Sequence, residues 1–191
     1  MGVGKIKIIN GVDVGKVEGA IEAMKGDAGL AKFKFRITNK WVDGSHNHTK
    51  VGSFYGAKQD NDHKSVFELD ADEPEALAGQ DSAPSPFEHL LNALASCLTT
   101  TLVYHAALRG IKIDEIESHL EGDIDLRGVF GISNEVRRGF DNIRVNFKIK
   151  TDEKDLDKLK ALSKLSPGFD VISNGARVDV SIERMEGRKA A

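Results

Sequence analysis

PFEHLLNALASCLTTTLVYHAALRG, residues 86–110, is a helical stretch without a charged face. Leu90, Leu91, Leu94, Leu98, Thr101, Leu102 and then His105 or Ala106 recur at steps of three and four residues, the period of an α-helix. Ser85 stands at the N-cap position, Pro86 suits the first turn, and Gly110 ends the run. Between Glu88 and Arg109 there is no Asp, Glu, Lys or Arg, and the other faces carry Ala93, Ala95, Val103, Ala107 and Leu108. A helix of this kind is expected to be buried nearly all round. Its length would also allow a membrane span, but His89, Asn92, Ser96, Thr99, Thr100, Thr101, Tyr104 and His105 are too many polar groups for lipid. A soluble chain of this size has little surface with which to wrap such a helix, so a second copy is the expected supplier.

The composition agrees with one soluble globular domain: 191 residues, 40% hydrophobic, 30% charged, net charge -3. No basic patch calls for nucleic acid or an acidic membrane surface. The opening MGVGKIKII lacks the apolar core of a signal peptide, and Ile6 occupies the place where a myristoylation motif needs Ser or Thr. The single cysteine, Cys97, excludes an internal disulfide and points to the cytoplasm.

Working outward from the central helix, Ile116, Ser118, Leu120, Gly122, Ile124 and Leu126 alternate with His119 and an acidic series, while Ile143, Val145, Phe147 and Ile149 alternate with Arg144, Asn146, Lys148 and Lys150. Opposite charges across an antiparallel pair contribute about 0.2–1 kcal/mol each, which predicts that these two strands are neighbours. Leu156, Leu159, Leu162 and Leu165 mark an amphipathic helix closed at Pro167, and Val178, Val180 and Ile182 a last strand. Upstream, Phe33, Phe35 and Ile37 read as a half-buried strand running to Trp41, DGSHNHT (43–49) as a turn, Val51–Tyr55 as the returning strand, and 65–69 as a third strand. An acidic loop, 70–84, precedes the helix. Residues 1–30 read as an extension with a short helix from Asp13 to Met24, 31–185 as the main domain, and 186–191 as a polar tail. The fold class is α+β, with antiparallel sheets packed on the central helix.

The run SPFEHLLNALASCLTTTLVYHAALRGIKIDEIESHLEGDIDLRG, together with SPGFDVISNG at 166–175, resembles the OsmC/Ohr family over roughly residues 30–185. The resemblance implies an intertwined homodimer with the cysteine-bearing helices at its centre and two sites between subunits. It also implies a thiol peroxidase that reduces organic hydroperoxides. In that mechanism a thiolate attacks the O–O bond, a second cysteine captures the sulfenic acid, and an Arg and a Glu position the peroxide.

Cys97 matches the first cysteine. The resolving cysteine of the family's Cys-Pro-Val-Ser run is replaced by serine in Ser166-Pro167-Gly168-Phe169. Phe87 occupies the place of the family's Glu, with Glu88 one residue later and rotated by about 100°. Val42-Asp43-Gly44 lacks the arginine found before the Asp-Gly of the first hairpin. The resemblance therefore implies Cys97 and Glu88 as catalytic residues beside Phe87, and Arg127 and Arg138, which bracket the apolar loop 128–132, are expected with Phe87 at the substrate pocket. Arg36 and Arg137 are the other candidates for the missing guanidinium.

Each of these residues also has a structural reading: Cys97 as a small buried hydrophobe, Glu88 as a helix cap, the arginines as surface charges. His46 and His48 flank Asn47 near Asp43, and only if both rings turned to one side would they bind a metal; no metal or cofactor is assigned. His105 lies two turns from Cys97, too far for a Cys–His pair within one chain. Two functions are expected. One is a one-cysteine reductase of hydrophobic hydroperoxides recycled by an external thiol; the other is a non-redox protein binding a small hydrophobic ligand in the interfacial pocket. Neither nucleic acid nor membrane is an expected partner.

Overall fold

The computed structural model describes residues 6–185. Residues 1–5, which include the Gly2 that a myristoylation motif would use, and the polar tail 186–191 lie outside them. A two-residue hairpin opens the described chain: β1 (Ile8–Ile9) pairs with β2 (Val12–Asp13) around Asn10 and Gly11, whose φ angles of 52° and 76° suit the Asn-Gly turn that matches strand twist. Asp13 caps α1 (Val14–Gly26), accepting from the Lys16 N–H. Val14 and Val17 of α1 pack with Val12 against Val103, Ala107 and Leu108 of the central helix. The Asn10 side chain donates to the Ile111 carbonyl at 3.0 Å and accepts from the Ile113 N–H at 2.8 Å.

The first main sheet has the order β3 (Ile37–Asp43), β4 (His46–Val51), then β7 (Glu68–Ala71), all antiparallel. Between β4 and β7 lies a small hairpin of β5 (Phe54–Gly56) and β6 (Gln59–Asn61). The reversal between β3 and β4 takes only Gly44 and Ser45, with a bulge between Trp41 and Asp43. His46 and His48 therefore stand on a strand and not in a turn, and the returning strand starts at His46, five residues before the Val51 expected. The third strand is likewise shifted, from 65–69 to Glu68–Ala71. Phe33–Arg36 is not a strand; Lys34 alone bridges to Tyr55. Phe33 and Phe35 stack on Phe54 in an exposed aromatic cluster.

The central helix, α2 (Pro86–Leu108), starts on the expected Ser85 cap, with a reciprocal capping box between Ser85 and Glu88. It is long and apolar enough to cross a bilayer by length and composition, and Leu94, Leu98, Thr101, Leu102, Ala106 and Ala107 on it are buried within the chain. Leu102 and Ala106 join Ile111, Leu159 and Leu162 in one cluster, against which Ile116, Phe147 and Ile149 pack. Only one stripe of α2 is fully buried within the chain; Leu90 and Tyr104 stay 44% and 45% exposed. The expectation of burial all round is thus not met within one chain.

β8 (Glu115–Asp123) and β9 (Asn142–Lys150) form the predicted antiparallel pair. Their register sets Glu115 opposite Lys150, Glu117 opposite Lys148 and Glu121 opposite Arg144. Between them, α3 (Leu126–Val129) and a loop return the chain, and the Phe140 ring lies over Gly122, where a Cβ would come within 2.5 Å of it. Beyond β9 come α4 (Leu156–Leu162) and α5 (Pro167–Asn174), the latter capped by Ser166. Val178, Val180 and Ile182 are in no strand and are 79%, 81% and 94% exposed. A strand needs a neighbour, and among the described residues this segment has none.

Candidate functional site

Cys97 lies at the crossing of two helices. Ser166, fully buried, ends the turn after α4, and its Oγ accepts from the Phe169 N–H at 3.3 Å, so that α5 starts there. Pro167 fits the first turn because it has no N–H to satisfy. Gly168 then meets α2 directly: a Cβ built on it would fall 2.7 Å from Cys97 Cβ, 3.1 Å from Cys97 Sγ and 3.7 Å from Leu94 Cα. Only glycine permits so close an approach. Cys97 is free and only partly buried. The Ser-Pro-Gly run was legible in the sequence as a missing cysteine; that its glycine presses on the one remaining thiol was not.

Two hollows lie beside these helices and share Ile143 of β9. On the side toward the start of α2 lies a hollow of about 470 Å³ that includes Leu90, Val171 and Ile172, with Arg137 and Phe140 from the loop before β9. Phe87 meets Phe140 edge to face, centroids 5.9 Å apart, which ties that loop to the first turn of α2. On the other side lies an apolar cleft bounded by Leu98, Phe169, β9 and α4.

The remaining candidates are placed as follows. The Glu88 carboxylate accepts from Ser85 N at 2.7 Å and from Ser85 Oγ at 2.8 Å, and these bonds, the backbone one foremost, hold its pKa below the usual carboxylate value. It is engaged as a helix cap. Arg127 is turned back onto Asp125, with Nε 3.0 Å from both carboxylate oxygens. Arg36 bonds Asp60 at 3.1 Å. Arg138 is exposed and makes no ion pair among the described residues. Of the four arginines considered, Arg137 is the one that borders the hollow beside Leu90. His105 is half-buried, its Nδ1 3.2 Å from the Arg109 guanidinium; burial and then that charge push its pKa down.

His46 Nε2 and His48 Nδ1 both reach Asp70 Oδ1, at 2.9 and 3.0 Å, and these two bonds, that from His46 foremost, lower the Asp70 pKa. Asp43, the carboxylate considered in the sequence, is not their partner. Among the described residues no group of three or more His, Cys, Asp or Glu side chains is placed to hold a metal ion.

Comparison with known proteins bears directly on this helix crossing. The family model described as "OsmC-like protein" matches residues 79–181, more than half of the chain, from the acidic loop through α2 and α5. The chain belongs to the OsmC-like family.

Solved structures agree on the fold. An OsmC-like protein from Mycoplasma pneumoniae superposes with a TM-score of 0.55 at 18% identity, covering 74% of this chain and 88% of its own. An organic hydroperoxide resistance protein OsmC from Legionella pneumophila gives 0.53 at 16% identity, covering 73% and 90%. An OsmC-like protein of unknown function from Vibrio cholerae gives 0.51 at 11%, covering 72% and 88%. At such identities the likeness is one of fold. A search of curated proteins found no match.

Proposed function

We propose that this OsmC-like protein is a one-cysteine, thiol-dependent reductase of organic hydroperoxides acting through Cys97. The observation that carries the reading is the Cys97–Gly168 crossing: a free, partly exposed thiol on the central helix, covered by the segment where the family carries its second cysteine. Related folds include a protein described as an organic hydroperoxide resistance protein.

In the first step the Cys97 thiolate attacks the terminal peroxide oxygen, the O–O bond breaks, and the alcohol leaves after taking a proton. Cys97 becomes a sulfenic acid. With one cysteine in the chain, an external thiol must condense with it, releasing water and forming a mixed disulfide. A second external thiol then restores Cys97 and departs as a disulfide. A cytoplasmic setting suits that demand.

The hollow beside Leu90 is the place for the organic part of the peroxide, with Phe140 as a wall and Arg137 as the cation at its edge. Glu88, fixed in its capping box, serves this site by holding the first turn of α2 and with it Phe87. The active form is an intertwined homodimer: the outer face of α2, the 178–182 segment and Trp41, 72% exposed, are apolar surface that a second copy would cover.

The test is direct. One equivalent of cumene hydroperoxide should add one oxygen to the intact protein mass, dimedone should trap it, and a small thiol should remove it. Cys97→Ser should abolish the change and leave the sedimentation coefficient as it was. A wild-type mass unchanged under excess hydroperoxide overturns the reading.

A further inference from the structure

The apolar cleft on the far side of the α5 crossing is built from three regular stripes. Ile143, Val145, Phe147 and Ile149 are alternate residues of β9 and share one face of it. Leu156, Leu159, Lys160 and Ser163 recur at i, i+3, i+4 and i+7, one face of α4 and of the turn that follows. Leu98 and Leu102 close the inner end from α2. The volume, about 460 Å³, falls within the range of small-molecule sites, about 300–1,000 Å³.

Exposure is graded along the cleft. Leu159 and Leu102 at the back are 1% and 2% exposed, whereas Val145 and Leu156 at the mouth are 37% and 44% exposed. Lys160 follows Leu156 by one helical turn and so stands at that mouth. Its ammonium makes no ion pair among the described residues, while Lys158 on the same helix is held by Asp155 at 2.8 Å. Ser163 Oγ donates to the Lys160 carbonyl at 2.7 Å, which leaves Lys160 as the donor at the rim.

We infer that this cleft binds an unbranched aliphatic monocarboxylate, its tail against β9 and its carboxylate on Lys160. Walls of Leu, Ile and Val with Phe147 and Phe169 take a hydrocarbon chain, since burying apolar surface is the gain they offer. A single ammonium at the mouth matches a single carboxylate; a phosphate or dicarboxylate would leave charge unmatched. The site uses neither Cys97 nor Arg137, so it stands or falls independently of peroxide reduction.

Titration calorimetry of the full-length protein with hexanoate, octanoate and decanoate tests the inference. Affinity should rise about three- to fourfold per methylene, the increment for burying one such group. Lys160→Met should weaken octanoate about tenfold or more and leave 1-octanol unchanged. Val145→Trp, a substitution at a partly exposed position, should fill the mouth and remove binding of both, with the melting temperature retained as the control for folding. Absence of saturable decanoate binding up to about 1 mM, or octanoate binding that either variant leaves unaltered, overturns the proposal.

Discussion

The β3–β4–β7 sheet and the β8–β9 pair both carry apolar side chains on one face, more sparsely in the first, where β4 is polar up to Val51, and they meet opposite fates within the chain. The inward residues of β8 and β9, such as Ile116 and Phe147, pack against the cluster of α2 and α4. The corresponding face of the first sheet carries Ile37, Trp41 and Leu69, which remain 66%, 72% and 50% exposed. Alternation specifies which face of a strand is apolar. It does not specify whether the cover comes from the same chain.

Substitution at the two faces sharpens the contrast. Leu159→Ala, at the most enclosed point behind β9, should cost about 2–5 kcal/mol in chemical denaturation, the range for emptying a packed core site. It should do so at any protein concentration. Trp41→Asp should act through association: if a second copy covers that face, the dimer dissociation constant rises by about thirtyfold or more, as for loss of a buried aromatic anchor. Sedimentation over a dilution series checks this, and an unchanged association state would place Trp41 in solvent.

A smaller effect is expected where the first sheet joins the segment leading to α2. Asp72, 1% exposed, accepts from Ser45 Oγ at 2.5 Å, Ser82 Oγ at 2.8 Å and the backbone of Glu73, Gln80 and Ser82. These bonds, that from Ser45 foremost, hold its pKa well below the ordinary carboxylate value. A depressed folded-state pKa stabilises the fold above the unfolded value, about 4, and that contribution is lost as pH falls toward the folded value. Asp72→Asn should therefore melt below wild type at neutral pH, with the gap narrowing in acid. A gap constant with pH would show that Asp72 matters for shape and not for charge.

Much of this architecture was legible in the residues. The 3.6-residue stripe and the Ser85 cap located α2 to within two residues of its end, and facing charges on 116–126 and 143–150 paired the right strands, although the first ends at Asp123 and Leu126 opens α3. The misplaced elements share a cause. DGSHNHT is composed of turn formers throughout, but a reversal consumes only Gly44 and Ser45, with Gly44 at φ 53°. The polar residues after it then alternate along a strand, where His48 faces Asp70. Val178–Ile182 has the pattern of a strand and, among the described residues, lacks a neighbour to pair with. At the site, Cys97 and its helix were evident, whereas the pressure of Gly168 on the thiol depends on how α5 crosses α2, which no local pattern encodes. The sequence favoured Arg127 and Arg138 for the pocket, whereas the arginine bordering the hollow beside Leu90 is Arg137.

The Asn10 clamp has a consequence for how the molecule is made. Its two hydrogen bonds join residues 101 and 103 positions apart in the chain. A chain leaving the ribosome completes the first hairpin and α1 early, yet Ile111 and Ile113 emerge only after all of α2 has been synthesised. This segment, made before α2, has no berth until the end of that helix has been made, and until then Val12, Val14 and Val17 lack the cover of Val103 and Ala107. Docking of this arm then marks the moment at which the end of the central helix, at Val103 and Ala107, is closed off from water.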